Sequence, residues 1–183
     1  MKNPWQAEIL LFWFGELRPE QWYESTPELD QAIRERFLAS HEALATDLPP
    51  ETLHEPDAAL AAIIALDQFP RNMFRGTARA FASDNQAALL SRKAVEKELD
   101  AQVPPERRQF FYMPLEHSEV MADQEHSVML FTALGDAENL RYAVEHRDII
   151  GRFGRFPHRN HVLERESTPA EKAFLAEHMG FGQ

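Results

Sequence analysis

Nowhere along this chain do apolar and polar residues alternate over any useful length. Long Ala/Leu/Glu/Arg-rich segments instead repeat at helical period. That pattern leaves no edge for a sheet and predicts an all-α fold. Glycine is scarce (7) and the prolines (12) mostly separate segments instead of filling them. A first helix is predicted over 4–14. A second opens at Thr26-Pro27, with Thr26 as N-cap and Pro27 at the first helical position, and runs to about 46. A third follows Pro56 and reaches Phe69, where Pro70 ends or kinks it. Ser83 and Gln86 read as a capping box for a helix to about Leu99. Pro104-Pro105 starts a short helix that Pro114 closes, and another spans 116–134 and stops at Gly135. Asp136 caps a helix to about Phe153, and the capping box Thr168-Pro169-Ala170-Glu171 opens a last one over 169–178.

These connections are short, and 183 residues suffice for one well-formed core, so a single-domain helical bundle over 1–183 is expected. No self-similarity at 34 residues marks a repeat array. The apolar run "ILLFWFG" (9–15), bounded by Glu8 and Glu16, is far shorter than the roughly 20 residues of a membrane span, and with no basic n-region and small-residue cleavage site before it a secretory signal is not expected. With no cysteine there is no disulfide framework, thiol nucleophile or zinc–thiolate site. The formal net charge of −11 argues against a nucleic-acid or anionic-membrane surface. A soluble, cytoplasmic protein is expected. Trp5, Phe12, Trp13 and Phe14 belong either in the core or at a homodimer contact, and Phe174, Leu175 and Met179 pack the last helix back on the bundle.

Three blocks, "LDQFPRNMFRGTARAFASD" (66–84), "YMPLEHSEVMADQ" (112–124) and "HRDIIGRFGRFPHRNHVLERESTPAE" (146–171), stand beside "FWFG" (12–15). Together they resemble the bacterial domain-of-unknown-function family numbered 924, over nearly the whole chain. The resemblance implies stacked helical hairpins of tetratricopeptide-like form, and it implies no activity. One departure stands out: the family pattern Leu-Gly-Arg is here Leu163-Glu164-Arg165, which weakens the expectation of a tight turn there.

Polar residues fall on apolar stripes in three predicted helices. Over 57–69, Asp67 shares the face of Leu60, Ile63 and Ile64, and Arg71 follows one turn later as an i,i+4 partner. Over 116–134, His117, Gln124 and Ser127 lie within the stripe of Val120, Met121, Val128, Leu130, Phe131 and Leu134, with Glu119, Asp123 and His126 on its flank. Those last three are similar in type and spacing to carboxylate-bridged metal sites of helix bundles, but no matching set appears on another helix, so no metal or cofactor is expected. Over 137–153, His146 sits amid Tyr142, Ile149, Ile150 and Phe153. A buried imidazole or amide without a partner costs about 1–3 kcal/mol, so these groups must meet others across the core.

The turn "FGRFPHRN" (153–160) echoes "FPRN" (69–72) and gathers Arg152, Arg155, His158 and Arg159 where Pro157 forces the chain off its helix. An unpaired buried guanidinium is prohibitive, so each arginine must be solvated, paired to an acid such as Asp67, Glu116, Glu119 or Asp123, or turned to an anion. The expectation is one polar pocket between helices, with Asp67, Arg71, His117, Glu119, Gln124, His146, Arg152, Arg155, His158 and Arg159 as ligand-binding candidates for an anionic small molecule or a peptide carboxylate. A hydrolase-type enzyme with His117 or His146 as general base is the alternative, although no nucleophile elbow, phosphate loop or zinc-protease motif accompanies it. A purely structural or protein-interaction module is the third reading.

Overall fold

Ala58 through Leu66 lose all their solvent-accessible surface in the computed structural model of the chain, which describes residues 4–24, 26–178 and 180. The α-helices run α1 (Pro4–Leu11), α2 (Pro27–Thr46), α3 (Pro56–Ile63), α4 (Phe69–Met73), α5 (Asp84–Glu96), α6 (Pro105–Glu116), α7 (Met121–Leu134), α8 (Ala137–Phe153) and α9 (Pro169–Glu177). Short 3₁₀ turns join several of them, and the described residues contain no strand. A helix apolar on every side must be surrounded by others. Accordingly α1, α5 and α6 pack on α3, α2 packs on α4, and α7 lies against both α6 and α8. No described helix is long and apolar enough to cross a membrane.

Aromatic residues of the first helix and the turn after it close one side of this core. Trp13 meets Phe69 and Phe110 edge-on, each at 5.7 Å between ring centroids, and Phe37 stacks on Phe69 at 4.7 Å. Trp5 and Phe14 are half-buried against the same cluster. A second, smaller cluster of Ile149, Ile150 and Phe156 gathers Met121, Phe153 and Phe174 at the C-terminal end. Phe174 of α9 reaches Phe153 at 5.1 Å, while Met179 lies outside the described residues.

Several helix boundaries depart from the sequence expectation, each for a physical reason. Pro70 neither ends nor breaks its helix. A π turn over Ile64–Gln68 joins α3 to α4, with the Phe69 N–H donating to the Ile64 carbonyl. Pro70 has no N–H to offer the preceding turn. His41 Nδ1 instead donates to the Ala65 carbonyl (2.9 Å) and Ser83 Oγ to the Leu66 carbonyl (2.5 Å). Ser83 is therefore not the capping hydroxyl expected for α5, and Gln86 turns to the Leu44 carbonyl. Pro114 also sits inside its helix, α6, where the Ser91 hydroxyl donates to the Phe111 carbonyl.

The predicted helix 116–134 divides in two, with His117 as the C-cap of α6 and α7 beginning at Met121. Val120 and Tyr142, placed on apolar faces by periodicity, are exposed. The remaining caps follow the expected chemistry. Thr26, Asp136 and Thr168 each accept from backbone N–H groups of the first helical turn, and Gly135 and Gly154 take left-handed φ values of 78° and 70° just beyond α7 and α8.

Candidate functional site

Asp67 is carried on the π turn at the end of the buried helix, so its carboxylate enters the interior with no exposed surface. Burying that charge is costly unless it is paired and hydrogen-bonded. His117 Nδ1 donates to it at 2.8 and 3.0 Å, Gln68 Nε2 at 2.6 Å, and Arg71 Nη1 lies 3.3 Å from Oδ1. Burial alone would raise the Asp67 carboxyl, but Arg71 and His117 outweigh it and hold it well below the usual carboxylate range. Arg71 extends beyond Asp67 to Asp84 in a two-bond fork at 3.0 and 3.1 Å.

Arg159, from the 3₁₀ turn Pro157–Arg159, shares Asp84 Oδ2 at 3.0 Å and donates from Nη2 to the His117 carbonyl at 3.0 Å. Its guanidinium also lies over the rings of Phe81 (4.4 Å) and Phe156 (4.7 Å). Two guanidiniums and two carboxylates thus form one buried chain that joins α4, α5 and the C-terminal turn. Burial draws the Arg159 guanidinium down to about 10 despite Asp84.

Glu116 and His146 lie beside this chain. His146 Nδ1 donates to the Tyr142 carbonyl at 2.8 Å, and Glu116 Oε1 is 3.1 Å from the same nitrogen. A carbonyl can only accept, so Nδ1 carries the proton of the neutral ring. Burial, helped by the nearby Asp67 charge, pushes the Glu116 carboxyl up to about 8. Burial, helped by His117, pushes His146 down to about 3. At neutral pH the pair is therefore a carboxylic acid beside an uncharged imidazole. The His117 and His146 rings are 6.2 Å apart, and burial with the Arg71 charge lowers His117 too.

Next to this network a cavity of about 540 Å³ opens between the segment 71–81 and the C-terminal segment 156–180. Arg71, Arg159, Arg165 and Lys172 line it with His146, His158 and His178, and Phe81, Phe156, Val162 and Leu175 supply apolar wall. Glu166 is the one acidic side chain among the described lining residues. Arg165 is held from behind by Glu119 at 2.8 and 3.0 Å and donates to the Phe156 carbonyl at 3.1 Å. The carboxylates that neutralise the lining arginines, Asp84 and Glu119, are thus set behind them and off the cavity surface. The Nε atoms of Arg71, Arg159 and Arg165 are all buried without a hydrogen-bond partner among the described residues.

A family profile described as "Bacterial protein of unknown function (DUF924)" matches residues 9–179. The chain belongs to this family. A solved structure described as a protein of unknown function, ATU0120 from Agrobacterium tumefaciens, is similar to this DUF924 protein, with a TM-score of 0.90 and 39% sequence identity. The likeness covers 94% of this chain and 97% of the other. No curated protein matches the sequence.

Of the ten residues expected at a pocket in this DUF924 protein, Arg71, His146, His158 and Arg159 line the cavity. Asp67 and His117 are behind its wall, joined to Arg71, and Glu119 backs Arg165. Gln124 caps α6 instead, its amide donating to the Glu116 (2.5 Å) and Ser118 (2.7 Å) carbonyls. Arg152 is exposed and lies over Phe153. Arg155 ties down α9 through Glu171 at 2.7 and 2.9 Å. The flank Glu119, Asp123 and His126 is dispersed: Asp123 belongs to Arg92 and Ser118, and no metal-holding group of three such side chains occurs among the described residues.

Sequence reasoning missed Arg165, Lys172, Phe81 and His178 as lining residues, and Asp84 as the shared carboxylate. Arg165, Phe81 and Asp84 carried a signal, since Arg165 falls inside the block 146–171 and the other two inside the block 66–84. His178 closes a relay across the cavity rim. It donates from Nε2 to Glu145 (2.7 Å) and accepts at Nδ1 from the Gly180 N–H (3.2 Å) and from His158 Nε2 (3.0 Å).

Proposed function

We propose that this chain is a binding protein whose cavity takes an anionic small molecule. The observation that supports it is a cavity wall that carries Arg71, Arg159, Arg165 and Lys172 with Glu166 as the one acid among its described lining residues. Cations on an enclosed wall attract an anion more strongly than the same charges in open water. The volume suits the reading as well, because pockets for drug-sized ligands span roughly 300–1,000 Å³.

Thermal unfolding at pH 7 in a zwitterionic buffer tests it, with phosphate, sulfate, citrate, benzoate and a short peptide in free-acid and amidated forms. A ligand at 100 times its Kd stabilises the folded state by about 2.7 kcal/mol, enough to move the midpoint by several degrees. At least one anion of the panel is expected to do so, and Arg165→Gln should abolish the shift. No shift with any of them overturns the reading. A response to the free-acid peptide but not the amidated one would identify a peptide carboxylate as the occupant.

A second reading, proton transfer by His146 in a hydrolase-type reaction, is favoured by one observation: its ring is on the cavity wall with Nδ1 engaged by the Tyr142 carbonyl. If the panel identifies a hydrolysable ligand, loss of turnover in His146→Gln with binding retained supports it, and unchanged turnover ends it.

A further inference from the structure

We propose that the anion received by this cavity is the phosphate group of a phosphomonoester whose organic part rests on the apolar wall. The inference rests on the reading of the cavity as an anion site and goes further in naming the head group. A singly charged carboxylate in this chain is met by one or two guanidiniums: Glu119 by the Arg165 fork and the Phe156 N–H, Asp84 by the Arg71 fork and Arg159. Arg71, Arg159, Arg165 and Lys172 stand together on the cavity wall with Glu166 as the one acid among its described lining residues, a cationic surface suited to the doubly charged, three-oxygen head of a phosphomonoester.

The guanidiniums are fixed in advance. Arg71 and Arg159 hold the same Asp84 oxygen, at 3.1 and 3.0 Å, and Arg165 is clamped between Glu119 and the Phe156 carbonyl. Little side-chain entropy remains to be lost when an oxyanion arrives. Lys172, exposed at the rim, adds a positive charge, and a doubly charged head group draws more from these cations than a singly charged one. A bare phosphate would leave most of the cavity unfilled. Phe81, Val162 and Leu175 offer the remaining surface to carbon.

Calorimetric titration with phenyl phosphate, phenyl sulfate and benzoate compares three head groups on one ring, with inorganic phosphate as the control without a ring. Phenyl phosphate is expected to bind at least ten-fold more tightly than phenyl sulfate or benzoate, and more tightly than inorganic phosphate. Arg165→Lys, which keeps the charge but removes the fork, and Lys172→Ala, an exposed position, should each weaken phenyl phosphate several-fold in proteins that unfold at the wild-type temperature. Benzoate or phenyl sulfate binding as well as phenyl phosphate overturns the head-group assignment and leaves the anion site standing. Wild-type affinity in both variants overturns the placement of the phosphate. No binding by any of the four probes overturns both readings.

Discussion

Glu164 holds a φ of +55°, a region that costs an L-residue roughly 1–2 kcal/mol and glycine very little. The family resemblance drawn from the sequence leads one to expect glycine here, and a glutamate in its place weakens the expectation of a tight turn. The turn forms regardless: the Arg165 N–H donates to the Asn160 carbonyl at 2.8 Å and the Leu163 N–H to that of Arg159 at 3.0 Å. Its pull comes from Arg165, whose side chain must reach Glu119. Because Glu164 is exposed and loses no packing, Glu164→Gly is expected to raise stability by about 1 kcal/mol, measured by urea unfolding. A buried acid gives a second test at this scale. The folded-state carboxyl of Glu116 is raised above its ordinary value to about 8, so between roughly pH 4.5 and 8 the folded chain binds more protons than the unfolded one. Stability from this group is therefore complete below about pH 4.5 and is lost as pH rises to 8. Glu116→Gln cannot titrate, so its stability relative to wild type should grow with pH across that window, by at most about 1.4 kcal/mol per pH unit, and level off above it. His146 works in the opposite sense: lowered to about 3, it removes stability as pH falls from about 6.5 to 3.

The helix class and most helix starts could be read from local chemistry, since a cap such as Asp136 or Thr168 serves N–H groups only two or three residues away. What could not be read is where a helix survives a proline. Pro70 looks like a stop because the donor that serves the Leu66 carbonyl in place of the missing N–H comes from Ser83, 17 residues on. The same distance hid the candidate site. Arg71 meets Asp84 across 13 residues and Arg159 meets it across 75, and no spacing rule links those positions. Ser83→Ala isolates the device. It leaves the Leu66 carbonyl buried without its hydroxyl partner and is expected to cost about 1–3 kcal/mol. Adding Pro70→Ala returns a backbone N–H to that turn, so the double variant should recover part of the loss, an interaction that a double-mutant cycle measures. If the two costs simply add, the hydroxyl is not standing in for the proline's missing donor.

An acidic molecule of net charge −11 sets Arg71, Arg75, Arg159 and Arg165 on one inward-facing wall, and that wall lies between two unequal parts. On one side is the continuous core around α3 and α6; on the other is the small cluster of Ile149, Ile150 and Phe156 that anchors α9. The nine residues of α9 place only Glu171 in the buried class, and the helix is attached by the polar ties of Arg155 to Glu171 and of His178, just beyond it, to Glu145, together with the Phe174 ring against Phe153. Segments with few buried apolar contacts open at lower free energy than the global transition. Native-state hydrogen exchange should accordingly show the α9 amides exchanging through a local opening while those of α3 and α6 exchange only with global unfolding. Arg155→Ala is expected to speed exchange in α9 alone. Lys172 and Leu175 are on α9 and line the cavity, so a bound anion bridges the two parts. Saturating phenyl phosphate should therefore slow α9 exchange by more than it slows that of α3. Equal protection in both helices would mean that the ligand stabilises the molecule without spanning the cavity, and α9 would then be no part of the site.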